Sequence, residues 1–177
     1  MEIKKIAKNS FNFAINRIIQ IIGISISISG LLLLISLLSY SPEDPNFIFP
    51  DNTKIKNILG FQGSFISDIF FQSFGLISLL IPFSFIFTGS NIFFKKKLLL
   101  IIESLFFTII YSLFGSLFFS YFYPNAFKLY INGNGGFIGK FLDSTFLNSL
   151  INFNTQISYY TLIVTIIILF FINIKFK

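Results

Sequence analysis

The residues with the most chemical promise are Gly133-Asn134-Gly135-Gly136-Phe137-Ile138-Gly139-Lys140, a glycine-rich run ending in lysine. A phosphate-binding loop of that kind aims backbone N–H groups at phosphate oxygens, with the lysine and a following Ser or Thr completing the site. The spacing is wrong for it. The glycine required five residues before Gly139 is replaced by Asn134, and Phe141 stands where the hydroxyl should be. A turn that opens a surface helix accounts for the run better than a nucleotide site.

Two carboxylates come next. Glu103 is the one acid well inside an apolar run, where an ionised group costs about 2.5–3.5 kcal/mol and often marks an ion or proton path. It lies only six residues into that run, close to Lys95-Lys96-Lys97. Interfacial or packing use is therefore favoured over transport. Asp68 and Gln72 share a helix face at i, i+4, but one carboxylate and one amide make no acid–base pair. Histidine and cysteine are absent, which removes the commonest general base and metal ligand together with thiolate chemistry. No catalytic, cofactor-binding or metal-binding residue is expected, and the chain is not expected to be an enzyme.

The elements that position these residues are apolar runs. Of 177 residues, 54% are hydrophobic and 11% charged, and mean hydropathy is +0.82. A soluble domain carries about 25% charged residues, so this chain has too little polar surface to cover a globule. Phenylalanine is abundant at 28 residues, so single Phe, Ile, Asn or Lys positions carry little weight.

Four runs are long enough to cross a bilayer as helices: about 18–38, 65–87, 98–119 and 157–174. Residues 1–17, with Lys4, Lys5, Lys8 and Arg17, read as an amphipathic surface helix leading into a retained anchor, not a cleaved signal. Within the first run, Ile24-Ser25-Ile26-Ser27-Ile28-Ser29 alternates like a strand, but the length of the run decides for helix. Gly23, Ser27 and Gly30 then form a small-residue stripe suited to close helix contact or to mere dilution of a Leu/Ile helix. Pro82 is expected to kink the second helix. Residues 88–97 read as a short connection, and paired apolar residues over 137–153 predict an amphipathic helix at the outer face. Its pairs are Phe137/Ile138, Phe141/Leu142, Phe146/Leu147 and Leu150/Ile151.

Four spans place Lys4, Lys5, Lys8, Arg17, Lys95, Lys96, Lys97, Lys175 and Lys177 on one side. Lys54, Lys56, Lys128 and Lys140 fall on the other, nine basic residues against four. Positive-inside bias then puts both termini in the cytoplasm. The net charge of +6 is explained by these flanks without nucleic acid.

One ordered set of motifs remains. Leu37-Leu38-Ser39-Tyr40-Ser41-Pro42-Glu43-Asp44-Pro45 closes the first span, and Asn57-Ile58-Leu59-Gly60-Phe61-Gln62-Gly63 leads to the second. Ser67-Asp68, Phe74-Gly75, Pro82 and Gly135-Gly136-Phe137-Ile138-Gly139 follow. In this order they resemble the N-terminal four-transmembrane domain of the FtsK/SpoIIIE family of bacterial DNA translocases, over nearly the whole of 1–177. The resemblance implies an all-α inner-membrane anchor acting in cell division and chromosome segregation. It implies septal localisation, contact with the bilayer and other division proteins, and self-association as a hexamer. The Glu43-Asp44 pair makes the first loop a contact site to test. The family's ATPase motor and DNA-reading domain have no counterpart in these residues, so ATP hydrolysis and direct nucleic acid contact are not carried over. A small polytopic transporter or channel subunit, with Glu103 or Asp68 on its path, is the alternative.

Overall fold

The computed structural model describes residues 2–45, 54–124 and 132–174, with side chains from residue 9. Among these the chain is helical: α1 (Glu2–Leu38), α2 (Gly60–Phe74), a 3₁₀ segment (Gly75–Leu80), α3 (Ile81–Lys95), α4 (Leu99–Phe122), α5 (Gly136–Asp143), α6 (Phe146–Phe153) and α7 (Thr155–Ile174). Four stretches are long and apolar enough to cross a membrane: Asn9–Leu38, Gly60–Lys95, Leu100–Phe122 and Thr155–Ile174. Lys128, Lys175 and Lys177, which enter the charge count, lie outside the described residues, as do Pro50 and Asp51.

The N-terminal basic segment is not a separate surface helix. It continues unbroken into the first span, so α1 runs for 37 residues. Its small-residue stripe packs on α3. A Cβ on Gly23 would lie 2.7 Å from the Gly89 carbonyl oxygen, and one on Gly89 would lie 2.3 Å from the Gly23 carbonyl oxygen. One turn on, Ser27 Oγ donates to the Ile86 carbonyl at 3.1 Å. Two backbones this close gain dispersion contact along the whole crossing, the main attraction between helices in lipid.

The second hydrophobic segment departs most from expectation. Its helical path covers 60–95 rather than 65–87, and it breaks at Gly75 rather than at Pro82. Gly75 has φ 72° and ψ −147°, a conformation open in practice only to glycine. Pro82 sits in the first turn of α3, where the missing N–H has no partner to lose, so it starts a helix instead of kinking one. Thr88-Gly89-Ser90-Asn91 also proves helical, because Thr88 and Gly89 are buried packing positions. The connection to α4 shrinks to 96–98, turned by Lys96 in the left-handed region at φ 53°.

α2 leaves α1 and arrives at α4. Ser36 Oγ donates to the Gly63 carbonyl at 2.6 Å, and Ser116 Oγ donates to the Phe74 carbonyl at 2.8 Å. Between those two contacts α2 advances roughly 16 Å along its axis, across the end of the bundle that bears residues 39–45 and 54–59. That end is called the loop end below, and the end bearing Lys95 the basic end.

Two cores result. Leu33 and Leu37 of α1 pack with Phe71 and Ile81, while Ile77, Tyr111, Phe118 and Ile166 join the 3₁₀ segment to α4 and α7. α4 and α7 are antiparallel neighbours, with Tyr111 edge-on to Phe170 and Phe118 against Tyr159.

The expected helix over 137–153 is two helices. Thr145 caps the second, its Oγ1 accepting the Leu147 N–H at 3.3 Å. The apolar pairs divide their labour across both. Phe137, Phe141, Phe146 and Leu150 are exposed, whereas Ile138, Leu142, Leu147 and Ile151 turn inward to varying degrees.

Candidate functional site

The motif residues between α1 and α2 fold onto one another. Asp44 is 1% exposed, and its carboxylate accepts two backbone N–H groups, Lys56 at 2.8 Å and Asn57 at 2.9 Å. Charge-assisted bonds of this kind are what allow a carboxylate to sit away from solvent. Asn57 in turn donates Nδ2 to the Ser36 carbonyl at 2.9 Å and accepts the Leu59 N–H at 3.0 Å. Ser39 Oγ accepts the Ile58 N–H, and Ser64 Oγ donates to the Pro45 carbonyl. Gly63 is required at its place because a Cβ there would lie 2.2 Å from Asn57 Oδ1. The loop is thus clasped to the ends of α1 and α2 by its own motif residues.

The acidic pair in this loop divides into two roles. Asp44 is internal, whereas Glu43 is exposed and paired with Lys56. That lysine holds the Glu43 carboxyl below its usual range, and the glutamate raises the lysine in return. Of the two, only Glu43 is displayed for contact, and Asp44 faces inward.

Tyr40 extends the clasp. Its ring packs on Phe71 at 4.7 Å between centroids, and its hydroxyl donates to Asp68 Oδ1 at 3.1 Å. Burial, then the Asp68 charge, pushes the Tyr40 phenol above its ordinary value. Gln72 Nε2 reaches the same Asp68 oxygen at 3.4 Å, and Asn132 donates its N–H to Gln72 Oε1 and its Nδ2 to the Gln72 carbonyl. Asp68 and Gln72 therefore join three segments at the loop end.

The glycine-rich turn fills the break in the second segment. Leu76 N–H donates to the Asn134 carbonyl at 2.9 Å, and a Cβ on Gly75 would lie 1.9 Å from that oxygen. Gly135 and Gly139 bring α5 onto α4, where a Cβ would lie 2.5 and 2.3 Å from the Ser116 carbonyl oxygen. These glycines serve close contact between segments, and the Gly136 and Gly139 N–H groups donate to the Gly133 and Gly135 carbonyls.

Sequence reading missed a third group, a polar ladder joining α3, α4 and α7. Asn173 Nδ2 donates to Ser84 Oγ at 2.9 Å and Thr108 Oγ1 at 2.8 Å, and Asn173 Oδ1 accepts from Ser104 Oγ at 2.7 Å. Thr88 donates to Ser104, and Ser84 bonds the buried Tyr111 hydroxyl. The signal was present as hydroxyls at helical spacing, 84/88 and 104/108, facing one amide in the last span. Glu103 lies beside this ladder on an exposed face of α4, and Asp68 belongs to the loop end, so the two acids are not brought together. The cavity shared by Glu103 and Asn173 is about 10 Å³, the size of one water at most. Polar side chains bonded across spans in this way hold helices together.

A helical membrane domain, held at one end by a polar clasp and toward the other by a hydroxyl–amide ladder, is the class these features define. Residues 16–177 match the family described as the 4TM region of DNA translocase FtsK/SpoIIIE, and the chain belongs to that family. It is 32% identical over 87 residues to the DNA translocase FtsK of Rickettsia prowazekii, covering 48% of this chain and 12% of that protein. Against the DNA translocase FtsK of Rickettsia bellii it is 34% identical over 74 residues, covering 42% of this chain and 10% of that protein. The chain thus aligns with about a tenth of the length of these curated relatives. No solved structure matches it.

Proposed function

We propose that this domain is the membrane anchor of an FtsK-like DNA translocase, acting in cell division and chromosome segregation. The observation that carries the reading is the family match across 16–177, which takes in nearly all of the described helical bundle. In this reading the loop end faces the periplasm and both termini face the cytoplasm, following the nine-to-four bias of basic residues. The domain sits in the inner membrane at the division septum, contacts other division proteins, and self-associates, with the family's hexamer as the expected state. No step of ATP hydrolysis or DNA handling is assigned to these residues.

The test is live imaging of a fluorescent protein fused after Lys177, using a fluorophore that matures only in the cytoplasm. Bright signal gathered at the septum is the expected result. Bright signal spread evenly round the envelope would overturn septal anchoring, and a dark but inserted fusion would overturn the orientation.

A further inference from the structure

We propose that α5 and α6 form an in-plane lipid-binding surface, whose exposed apolar row lies in the headgroup–acyl boundary of the leaflet at the loop end. The proposal requires only that the spans cross a bilayer, so it stands or falls apart from septal anchoring.

Contacts with the spans fix the depth of both helices. A Cβ on Gly135 would lie 2.5 Å from the Ser116 carbonyl oxygen and 2.6 Å from Ser120 Cβ, and one on Gly139 would lie 2.3 Å and 3.0 Å from the same two atoms. Two glycines one turn apart thus meet one place on α4, so α5 crosses that span instead of descending beside it. Ser116 and Ser120 stand six and two residues before the end of α4 at Phe122, which puts the crossing about 3–9 Å below that end. α6 is held at the same level. The Tyr121 hydroxyl donates to Asn152 Oδ1, Ser158 Oγ in the first turn of α7 donates to the Ile151 carbonyl at 3.4 Å, and Asn154 alone separates α6 from α7. Tyr123 and Tyr159, close by in sequence, join hydroxyls at 2.7 Å, and tyrosine is enriched where spans meet the membrane–water interface.

Side chains sort by face. Phe137 and Phe141 of α5 stand at i, i+4, and Phe146, Leu150 and Phe153 of α6 at i, i+4, i+7, so each helix carries one apolar outward stripe. These five are between 60% and 94% exposed, so no described segment of the chain covers them. The polar side of α6 is engaged within the protein: Asn148 Nδ2 donates to Asp143 Oδ1 at 2.8 Å, and Asn152 Nδ2 donates to Asn148 Oδ1 at 2.5 Å.

Depth selects lipid as the occupant. Interfacial amphipathic helices lie about 5–10 Å into the headgroup–acyl boundary, with Phe and Leu on the buried face. Ser116 and Ser120 give α5 that depth. Ile157 and Tyr160, in the first two turns of α7, are exposed as well, so apolar surface runs from Phe153 into the outward side of the last span. A dip toward the midplane is the competing geometry, and the contact shared by Gly135 and Gly139 argues against it.

The chain contains no tryptophan, so single reporters are read without background. Phe137→Trp, Phe146→Trp and Phe153→Trp, each at an exposed site, are made in the full chain in phospholipid bilayers. Each is quenched with lipids brominated near the headgroup or near the chain end, and with aqueous iodide. Ile109→Trp, on an exposed face in the middle of α4, is the deep reference. Strongest quenching of all three reporters by the shallow bromines is expected, with Ile109→Trp quenched most by the deep ones. Dominant iodide quenching of any reporter would put the row in water and overturn the proposal. Protection from every quencher would give the row to a protein partner, and dominance of the deep bromines would make it a re-entrant segment. Either result also overturns it.

Discussion

Asp44 Oδ2 accepts the backbone N–H of Asn57 at 2.9 Å, thirteen residues along the chain, with both residues out of contact with solvent. This bond closes the loop over the ends of α1 and α2, and Lys56 N–H on the other carboxylate oxygen makes it bidentate. Asp44→Ala would strand those donors. Unmet buried donors cost about 1–3 kcal/mol each, so a loss of about 2–4 kcal/mol is expected in equilibrium unfolding in mixed micelles. Glu43→Ala, by contrast, should unfold at the wild-type denaturant concentration, because its side chain is exposed. Equal effects of the two would refute the division of roles between them.

Tyr40 gives the loop end an alkaline sensitivity. Its phenol is pushed above the ordinary value of about 10 by burial and by Asp68. The folded state therefore favours the protonated form. The stabilisation is complete below about pH 10 and declines as pH rises through the folded value. A tyrosinate absorbance titration should lose one late-ionising group on Tyr40→Phe substitution. If the titration is unchanged by that substitution, the Tyr40–Asp68 bond does not persist.

Two glycines with similar φ should differ sharply in tolerance. Gly60, at φ +66°, has open space where a Cβ would go, whereas at Gly75 a Cβ would overlap Asn134. Gly60→Ala should cost about 1–2 kcal/mol, the penalty for a left-handed alanine. Gly75→Ala should prevent the turn from seating and give little folded protein, scored by size-exclusion profile after extraction.

The ladder predicts a graded series. Asn173→Leu removes three hydrogen bonds at once, while Thr88→Ala removes one. Inter-helix bonds in membranes average about 0.6 kcal/mol. Asn173→Leu should therefore cost about 1–2 kcal/mol and Thr88→Ala about 0.6 kcal/mol in SDS-driven unfolding. A larger loss from Thr88→Ala than from Asn173→Leu would place the centre of the ladder elsewhere.

Much of this was legible in the residues. The number of spans follows from apolar length, and periodicity puts Gly23, Ser27 and Gly30 on one face suited to close helix contact, while the partner, α3, is set by packing. The motifs from Ser39 to Gly63 marked the right place. Their role was hidden, because the buried state of Asp44 depends on backbone donors twelve and thirteen residues away. Gly75 was outranked by Pro82, since proline removes a donor wherever it stands in a helix, whereas glycine breaks one only where another segment meets it. That segment, Asn134, lies 59 positions on. The ladder escaped for the same reason: each hydroxyl is unremarkable in its own span, and only the packing of three spans brings them onto Asn173.

α1 has one further consequence. A continuous helix of 37 residues is about 55 Å long, nearly twice the thickness of a bilayer core. No glycine break or proline interrupts it, so it behaves as a stiff lever with the α3 crossing as fulcrum. About a fulcrum near Gly23, a 10° tilt displaces each end by about 4–6 Å. Ser36, which joins α1 to the clasp through the Gly63 carbonyl, stands on the shorter arm.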